Sequence, residues 1–376
     1  TPAFMPVGTR ASVKGLLPDF VRQAGAQIIL NNAYHLMLRP GDALIAELGG
    51  VHDFMKWSGP VLTDSGGYQA FSMADLNAID EDGVTFTSIV DGAKIRLTPE
   101  RSIEVQNNLG ADIIMAFDDC PPAREQEHSG TDSVAIHNHQ ERLRSANERT
   151  ARWLERCVRA HARQHDQALF GIVQGGVDLS LRSASAQQIC QFDLPGFAIG
   201  GVAVGESPDA IHSVVRHTAP LLPEEKPRYL MGVGYEIDIV NAVRAGVDMF
   251  DCVLPTRNGR NGNVFTRTGR LHLRNAIHRQ SQEPIEPGCL CAACHGGYSR
   301  AYLRHLFQSG EMLGPILASI HNIHHFESLV LDIRTAIRDD AWPRFFGSWP
   351  VLESAGADTP RAVVQTERDD DDGLDT

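Results

Sequence analysis

No stretch of this 376-residue chain approaches the roughly 20 consecutive apolar residues that a membrane helix needs, and the N-terminus lacks the charged-then-apolar order of a secretory leader. A cytoplasmic chain without a membrane partner is expected. The first residue is Thr1 rather than Met, so the N-terminal edge is read as incomplete. No Gly-x-Gly-x-x-Gly follows the first apolar run, which argues against a doubly wound dinucleotide-binding sheet. Internal repeats are absent. Cysteine is sparse and odd in number, seven in all, with Cys120, Cys157, Cys190 and Cys252 scattered and three more packed into Cys289-Leu-Cys291-Ala-Ala-Cys294. That distribution does not make a disulfide framework; reduced thiols plus one metal site is the simpler reading.

Acidic residues are missing from a long arginine-bearing segment. Between Asp251 and Glu283 there is none, while Arg257, Arg260, Arg267, Arg270, Arg274 and Arg279 all fall inside, although the net charge of the chain is −13. The acidity is concentrated elsewhere: residues 351–376 alone contribute −6 and end in Glu367-Arg-Asp-Asp-Asp-Asp372, a tail expected to be disordered. The arginine-rich stretch is therefore a local basic patch on a chain whose overall charge would repel nucleic acid.

What the sequence does contain is alternation of short apolar runs with longer amphipathic stretches, the pattern of βα units on a parallel sheet. Eight such runs occur: Ala3–Val7, Gln27–Leu30, Val61–Thr63, Asp112–Phe117, Leu169–Val173, Gly196–Ile199, Tyr229–Met231 and Val247–Phe250. Eight predicts a closed (β/α)8 barrel, and most of the runs end in residues suited to a site: Asn31-Asn32, Asp64, Asp118-Asp119, Gln174-Gly-Gly176, Gly200-Gly201, Gly232-Val-Gly234 and Asp251. In such a barrel those ends converge on the active site. Helices are expected at 18–23, 99–109, 145–164, 179–190, 209–221, 236–245 and 314–337. Val84–Leu97 alternates about Asp91-Gly92 and reads as an inserted hairpin.

Two carboxylates stand out. Val61-Leu-Thr-Asp64-Ser-Gly-Gly-Tyr-Gln69 and Val247-Asp-Met-Phe-Asp251 each close an apolar strand with an Asp, and Asp251 leads into the glycine-rich loop that carries Arg257 and Arg260. A nucleophile, a second carboxylate for proton transfer and a phosphate clamp could share one site. Asp248 is the rival to Asp251, three residues back and expected to face away. Three cysteines need a fourth ligand for a tetrahedral zinc, and His321, His324 and His325 on one helix all qualify by spacing.

Asn32–Gly41, Thr63–Gln69, Pro99–Ile103, Met115–Asp118, Gly200–Glu206 and Phe250–Gly262, in that order, resemble the queuine tRNA-ribosyltransferases, also called tRNA-guanine transglycosylases, of the bacterial type. The likeness runs from about Thr1 to Phe346. It implies a (β/α)8 TIM barrel over 1–275 that lacks the family's hairpin ahead of the first strand, with the inserted hairpin, then a zinc-binding subdomain over 276–349 and the acidic tail over 350–376. It implies an enzyme that replaces the wobble guanine of tRNAs with G-U-N anticodons by 7-aminomethyl-7-deazaguanine, a step towards queuosine, and that works as a homodimer. By the same resemblance Asp251 is the nucleophile and Asp64 the proton acceptor and donor. Ser65, Tyr68, Asp118, Cys120, Gln174, Gly201, Val202, Val204 and Met231 line the base pocket, Arg257 and Arg260 hold the anticodon loop, and Cys289, Cys291, Cys294 and His321 bind one structural zinc per chain. Ala33, Asp119 and Val202 replace the family's common Thr, Glu and Leu, and Cys294-His-Gly-Gly-Tyr298 is one residue longer than usual. Two other functions fit these residues less well. A non-catalytic tRNA-binding subunit would dispense with the Asp pair, and a barrel glycosidase would need neither the cysteines nor the arginines.

Overall fold

A computed structural model describes residues 1–72, 78–121, 133–203 and 205–354. Val204 and the acidic tail from residue 355 onward lie outside the described residues. Eight parallel strands form one sheet: β1 (Ala3–Pro6), β2 (Ile29–Asn31), β3 (Val61–Thr63), β4 (Ile113–Met115), β5 (Ala168–Val173), β6 (Gly196–Ile199), β7 (Arg228–Leu230) and β8 (Met249–Cys252). Their order is β1-β8-β7-β6-β5-β4-β3-β2, each strand beside its sequence neighbour. A parallel bridge from Val7 to Leu30 brings the β1 edge to the β2 edge, so the fold is the expected (β/α)8 barrel. The strands are apolar without alternation because helices and barrel interior cover both faces; every residue of β6 and of β7 is buried.

The chain packs as two compact units. One comprises Thr1–Asn31, Val51–Leu62 and the described residues from Gly232 onward; the other comprises Asn32–Gly50 and the described part of Thr63–Met231. In the first, Ala3 pairs with Met249 and Pro6 with Cys252, which sets Met5 opposite Asp251. In the second, β4–β5–β6–β7 pair in parallel, with Phe170 opposite both Met115 and Gly196. Phe170 fits there because Gly196 has no side chain: a Cβ would lie 2.3 Å from the Phe170 ring. No helix among the described residues is long and apolar enough to cross a membrane.

Four readings need correction. The helix expected at 145–164 is α1 (Ser133–Ala160), twelve residues earlier at its start; it stops at Ala160 because the ring of His161 turns inward onto Asn107 Oδ1 and the Gln167 carbonyl, at 3.1 Å each. The inserted hairpin has a third strand, Ala78–Ile79, paired with the first strand of Val84–Thr87/Lys94–Leu97; two residues are too few to register as a periodic run. Asp248 lies before β8 rather than within it, its carbonyl accepting the Ala3 N–H, while Asp251 is an in-strand residue rather than the one after it. The glycine-rich loop carrying Arg257 and Arg260 is a helix, α3 (Leu254–Arg260), with Pro255 in its first turn. Gly259 is there for contact and not for flexibility: a Cβ would lie 2.7 Å from the Ser319 backbone of α4 (Leu313–Arg338). The helix expected at 314–337 is α4 itself.

Candidate active site and candidate metal centre

At the end of β3, Asp64 is buried and accepts three N–H groups: Ala33 N at 2.8 Å on Oδ1, and Gln69 Nε2 at 2.7 Å and Asn32 Nδ2 on Oδ2. Ser65 and Gly66 make the turn that allows this; Gly66 sits at φ +76°, and a Cβ there would meet the Tyr34 backbone at 3.3 Å. The helix beginning at Gly67 then returns Gln69 to the carboxylate. Gln106 braces the same corner, its amide pairing with both the N–H and the carbonyl of Met115 at 2.9 Å and its oxygen accepting Thr63 Oγ1 at 3.2 Å.

The end of β4 carries two adjacent carboxylates in opposite surroundings. Asp118 Oδ2 accepts Gln174 Nε2 at 2.6 Å and Oδ1 accepts Ser65 Oγ at 3.4 Å, with no cation among these partners. Burial pushes its carboxyl up to about 6, the Gln174 bond opposing and the Asp119 charge adding. Asp119 is wholly buried but charge-compensated: Arg142 grips both oxygens at 2.8 and 2.6 Å, Arg149 reaches Oδ2 at 2.5 Å, and the Asp119 N–H bonds Thr150 Oγ1. All three partners stand on α1.

Gln174, at the end of β5, is pressed against the turn after β6. Gly201 has φ +60°, and a Cβ there would fall 2.3 Å from Gln174 Oε1 and 3.5 Å from Cys120 Sγ; a Cβ at Gly200 would lie 3.5 Å from Met231 Sδ. Ser65, Asp118, Cys120, Gln174, Gly201 and Met231 are thus neighbours through a chain of contacts within one unit, and Val202 is buried beside them. Tyr68 is half-buried, its hydroxyl pushed up by burial and then by Cys120 and Glu206. Burial also drives the Cys120 thiol far upward, so it is a neutral wall and not a nucleophile.

In the other unit Asp251 Oδ1 accepts the Gly232 N–H at 2.7 Å, and the Cys252 Sγ meets the Gly232 carbonyl at 3.7 Å. Gly234 is required here, since a Cβ would lie 2.3 Å from that of Cys252. Arg257 and Arg260 are half-exposed on α3. Three further residues escaped the sequence reading: Arg142, Arg149 and Arg182. The first two are seven apart on one helix and could have been read as one face; buried Arg182 on α2 (Leu179–Ile189) left no signal.

Cys289, Cys291, Cys294 and His321 place one ligand atom each within 4.8 Å of one another, a set that could hold a metal ion. The Nδ1 of His321 lies 3.7, 3.5 and 3.5 Å from the three sulfurs, and its Nε2 is 2.7 Å from the Phe265 carbonyl. Donation from Nε2 leaves Nδ1 bare towards the thiols, the tautomer a ligand requires. The rival histidines make other bonds, His324 Nδ1 to the Ala24 carbonyl at 3.1 Å and His325 Nε2 to Glu236 at 2.9 Å, although the His324 ring also bears on the Cys289 thiol. Next to His321, Asn322 accepts the Phe265 N–H and donates to the Pro255 and Asn263 carbonyls, tying α4 to α3 and to the strand after it.

A family model described as queuine tRNA-ribosyltransferase matches residues 1–350. Among curated relatives carrying that name, the protein of Synechococcus elongatus is 52% identical over 349 residues, covering 93% of this chain and 87% of the relative. That of Nostoc sp. is 52% identical over 360 residues, covering 95% and 91%. That of Stenotrophomonas maltophilia is 50% identical over 358 residues, covering 95% and 92%.

Proposed function

The chain belongs to the queuine tRNA-ribosyltransferase family and is a tRNA-guanine transglycosylase, a pentosyltransferase of queuosine synthesis; from that premise we propose that it exchanges the wobble guanine of G-U-N anticodons for 7-aminomethyl-7-deazaguanine through a covalent Asp251–ribose intermediate. Base exchange at an anomeric carbon with retention needs two inversions. In the first, an Asp251 oxygen bonds to C1′, the C1′–N9 bond breaks, and protonated Asp64 gives its proton to the departing guanine. In the second, the incoming base loses its N9 proton to Asp64, its nitrogen bonds to C1′ and the Asp251 ester bond breaks. The three N–H donors on Asp64 suit the ionised form that receives that proton.

The observation that carries this reading is the contact chain Asp118–Gln174–Gly201. A purine-like base needs an anionic acceptor for its pyrimidine-edge N–H groups and donors for its carbonyl in one plane. Asp118 supplies the first. Gln174 Nε2 has a second N–H beyond the one given to Asp118, and the Gly201 N–H is the other donor. Tyr68 stacks on the face of the base, Ser65 and Met231 line the pocket, and Cys120 and Val202 flank the aminomethyl group. Arg257 and Arg260 take anticodon-loop phosphates. Cys289, Cys291, Cys294 and His321 would hold a zinc with four protein ligands, a clip between α4 and the preceding segment that supplies no step of the exchange.

The test is radiolabelled guanine exchange into an unmodified G-U-N tRNA, with a denaturing gel for the adduct. Exchange and a protein–RNA band are expected from the parent chain, and neither from Asp251→Asn, which should still bind tRNA. A band that persists in that variant removes Asp251 as nucleophile.

A further inference from the structure

Arg182 is 0% exposed, yet its described hydrogen-bond partners are all backbone carbonyls. Nε donates to Gly176 O at 2.9 Å, Nη1 to Val173 O at 2.9 Å and to Gly200 O at 2.7 Å, and Nη2 to Gly201 O at 2.8 Å. Burial lowers its pKa to about 10, so it stays charged at neutral pH. A guanidinium buried this way is costly and persists because its hydrogen bonds to these carbonyls offset the lost hydration. Its four acceptors are the last residue of β5 and residues of the two loops after β5 and β6, which carry Gln174 and Gly201. Gly175 lets the first turn of α2 approach the strand ends, since a Cβ there would lie 2.8 Å from the Arg182 backbone nitrogen.

A trans peptide holds its N–H opposite its C=O. Fixing the Gly200 and Gly201 carbonyls on the guanidinium therefore turns the N–H groups of Gly201 and Val202 away from it. Gln174 packs against the same turn, its Oε1 in the space a Gly201 Cβ would need. The buried positive charge also polarises the two peptide groups it holds, strengthening their outward N–H donors.

We propose that Arg182 is a positioning residue for base recognition: by gripping the carbonyls of Val173, Gly176, Gly200 and Gly201 from behind, it sets the Gly201 N–H and the Gln174 amide on the base carbonyl. This rests on the reading of Asp118, Gln174 and Gly201 as the base pocket. The experiment measures guanine exchange in the full metal-replete chain for Arg182→Lys, Arg182→Met and Gln174→Leu, with KM for guanine, KM for tRNA and kcat taken separately and normalised to folded protein. Arg182→Met is expected to raise the guanine KM about tenfold or more and to leave the tRNA KM within about twofold, because only base binding is loosened. Arg182→Lys keeps the charge but has three donors in another geometry, and should fall between parent and Met variant. Guanine KM unchanged in both Arg182 variants while Gln174→Leu raises it overturns this proposal alone. Guanine KM unchanged in all three overturns the pocket reading beneath it. If both KM values and kcat move together in Arg182→Lys, Arg182 is structural only and the proposal fails.

Discussion

At the strand ends the chain brings its own donors to each carboxylate, whereas at the cysteine–histidine cluster it brings ligands together. Asp64 receives three N–H groups and Asp119 two guanidinium groups. The described N–H reaching the cluster is Cys294 N on Cys291 Sγ at 3.3 Å, beside an imidazole whose bare nitrogen faces three sulfurs. The first arrangement is assembled by the protein's own hydrogen bonds and arginines. The second is a donor set for a cation, since thiolates in contact repel unless a metal takes their charge. The pocket should therefore keep its local geometry through changes that dismantle the cluster, and the reverse should hold as well.

The sharpest break is chemical. Asp251→Asn should lower turnover by roughly 10⁶-fold, the scale on which loss of a nucleophile is measured, while the zinc content and the unfolding midpoint stay at parent values. Base exchange within tenfold of the parent would move the nucleophile elsewhere. The next largest effect lies on the other side of the comparison. His321→Ala, or a strong chelator, should lower the unfolding midpoint on the order of 10 °C, several kcal/mol at this size, through loss of the clip on α4. Metal analysis and a thermal melt decide; a full equivalent of zinc in His321→Ala rejects this ligand set.

The two regions were unequally legible before the fold was known. Strands buried on both faces read as continuous apolar runs, so the eight barrel strands and the Asp64 and Asp251 strand ends stood out. The cysteine spacing announced a metal, but three histidines on one helix remained equivalent until their other partners were visible: Ala24 for His324, Glu236 for His325, and Phe265 for His321. The glycine-rich segment after Asp251 misled, because a glycine chosen for a 2.7 Å backbone approach is indistinguishable in sequence from one chosen for a turn. The arginines behind the pocket were invisible for a related reason. Arg142, Arg149 and Arg182 look like solvated helix residues, and only tertiary packing reveals which face they present.

Within the pocket, Asp118 and Asp119 give a smaller and more specific test. Burial raises the Asp118 carboxyl from 3.8 to about 6. The folded chain thus holds this proton more tightly than the unfolded chain. The associated stability is fully present below about 3.8 and is lost as pH rises through about 6. Base binding runs the other way, because the ionised form is the one that accepts N–H groups. Guanine affinity should be flat above pH 7 and fall by up to tenfold per unit below about 6, and Asp118→Asn should abolish that dependence. A parent profile flat from pH 5 to 8 would mean that Asp118 does not read the base as an anion.

The smallest effect concerns the helix that joins the two regions in sequence. Arg257 and Arg260 are three residues apart on α3 and so share a face, and α3 is seated on α4 where Gly259 meets Ser319, two positions before His321 in sequence. Each phosphate contact on single-stranded RNA contributes about −0.7 to the slope of log affinity against log salt. Arg257→Ala and Arg260→Ala should each flatten the slope by about that amount and leave the guanine KM unchanged, since Asp118 and Gln174 belong to other strands. Gly259→Ala sharpens the comparison, because it removes no charge: its Cβ would meet the Ser319 backbone at 2.7 Å and must push α3 away, carrying both arginines with it. A flattened slope in Gly259→Ala comparable to that of the arginine variants means that the RNA contacts depend on where the helix is held. Parent-like slopes in all three variants would place the RNA footprint outside α3.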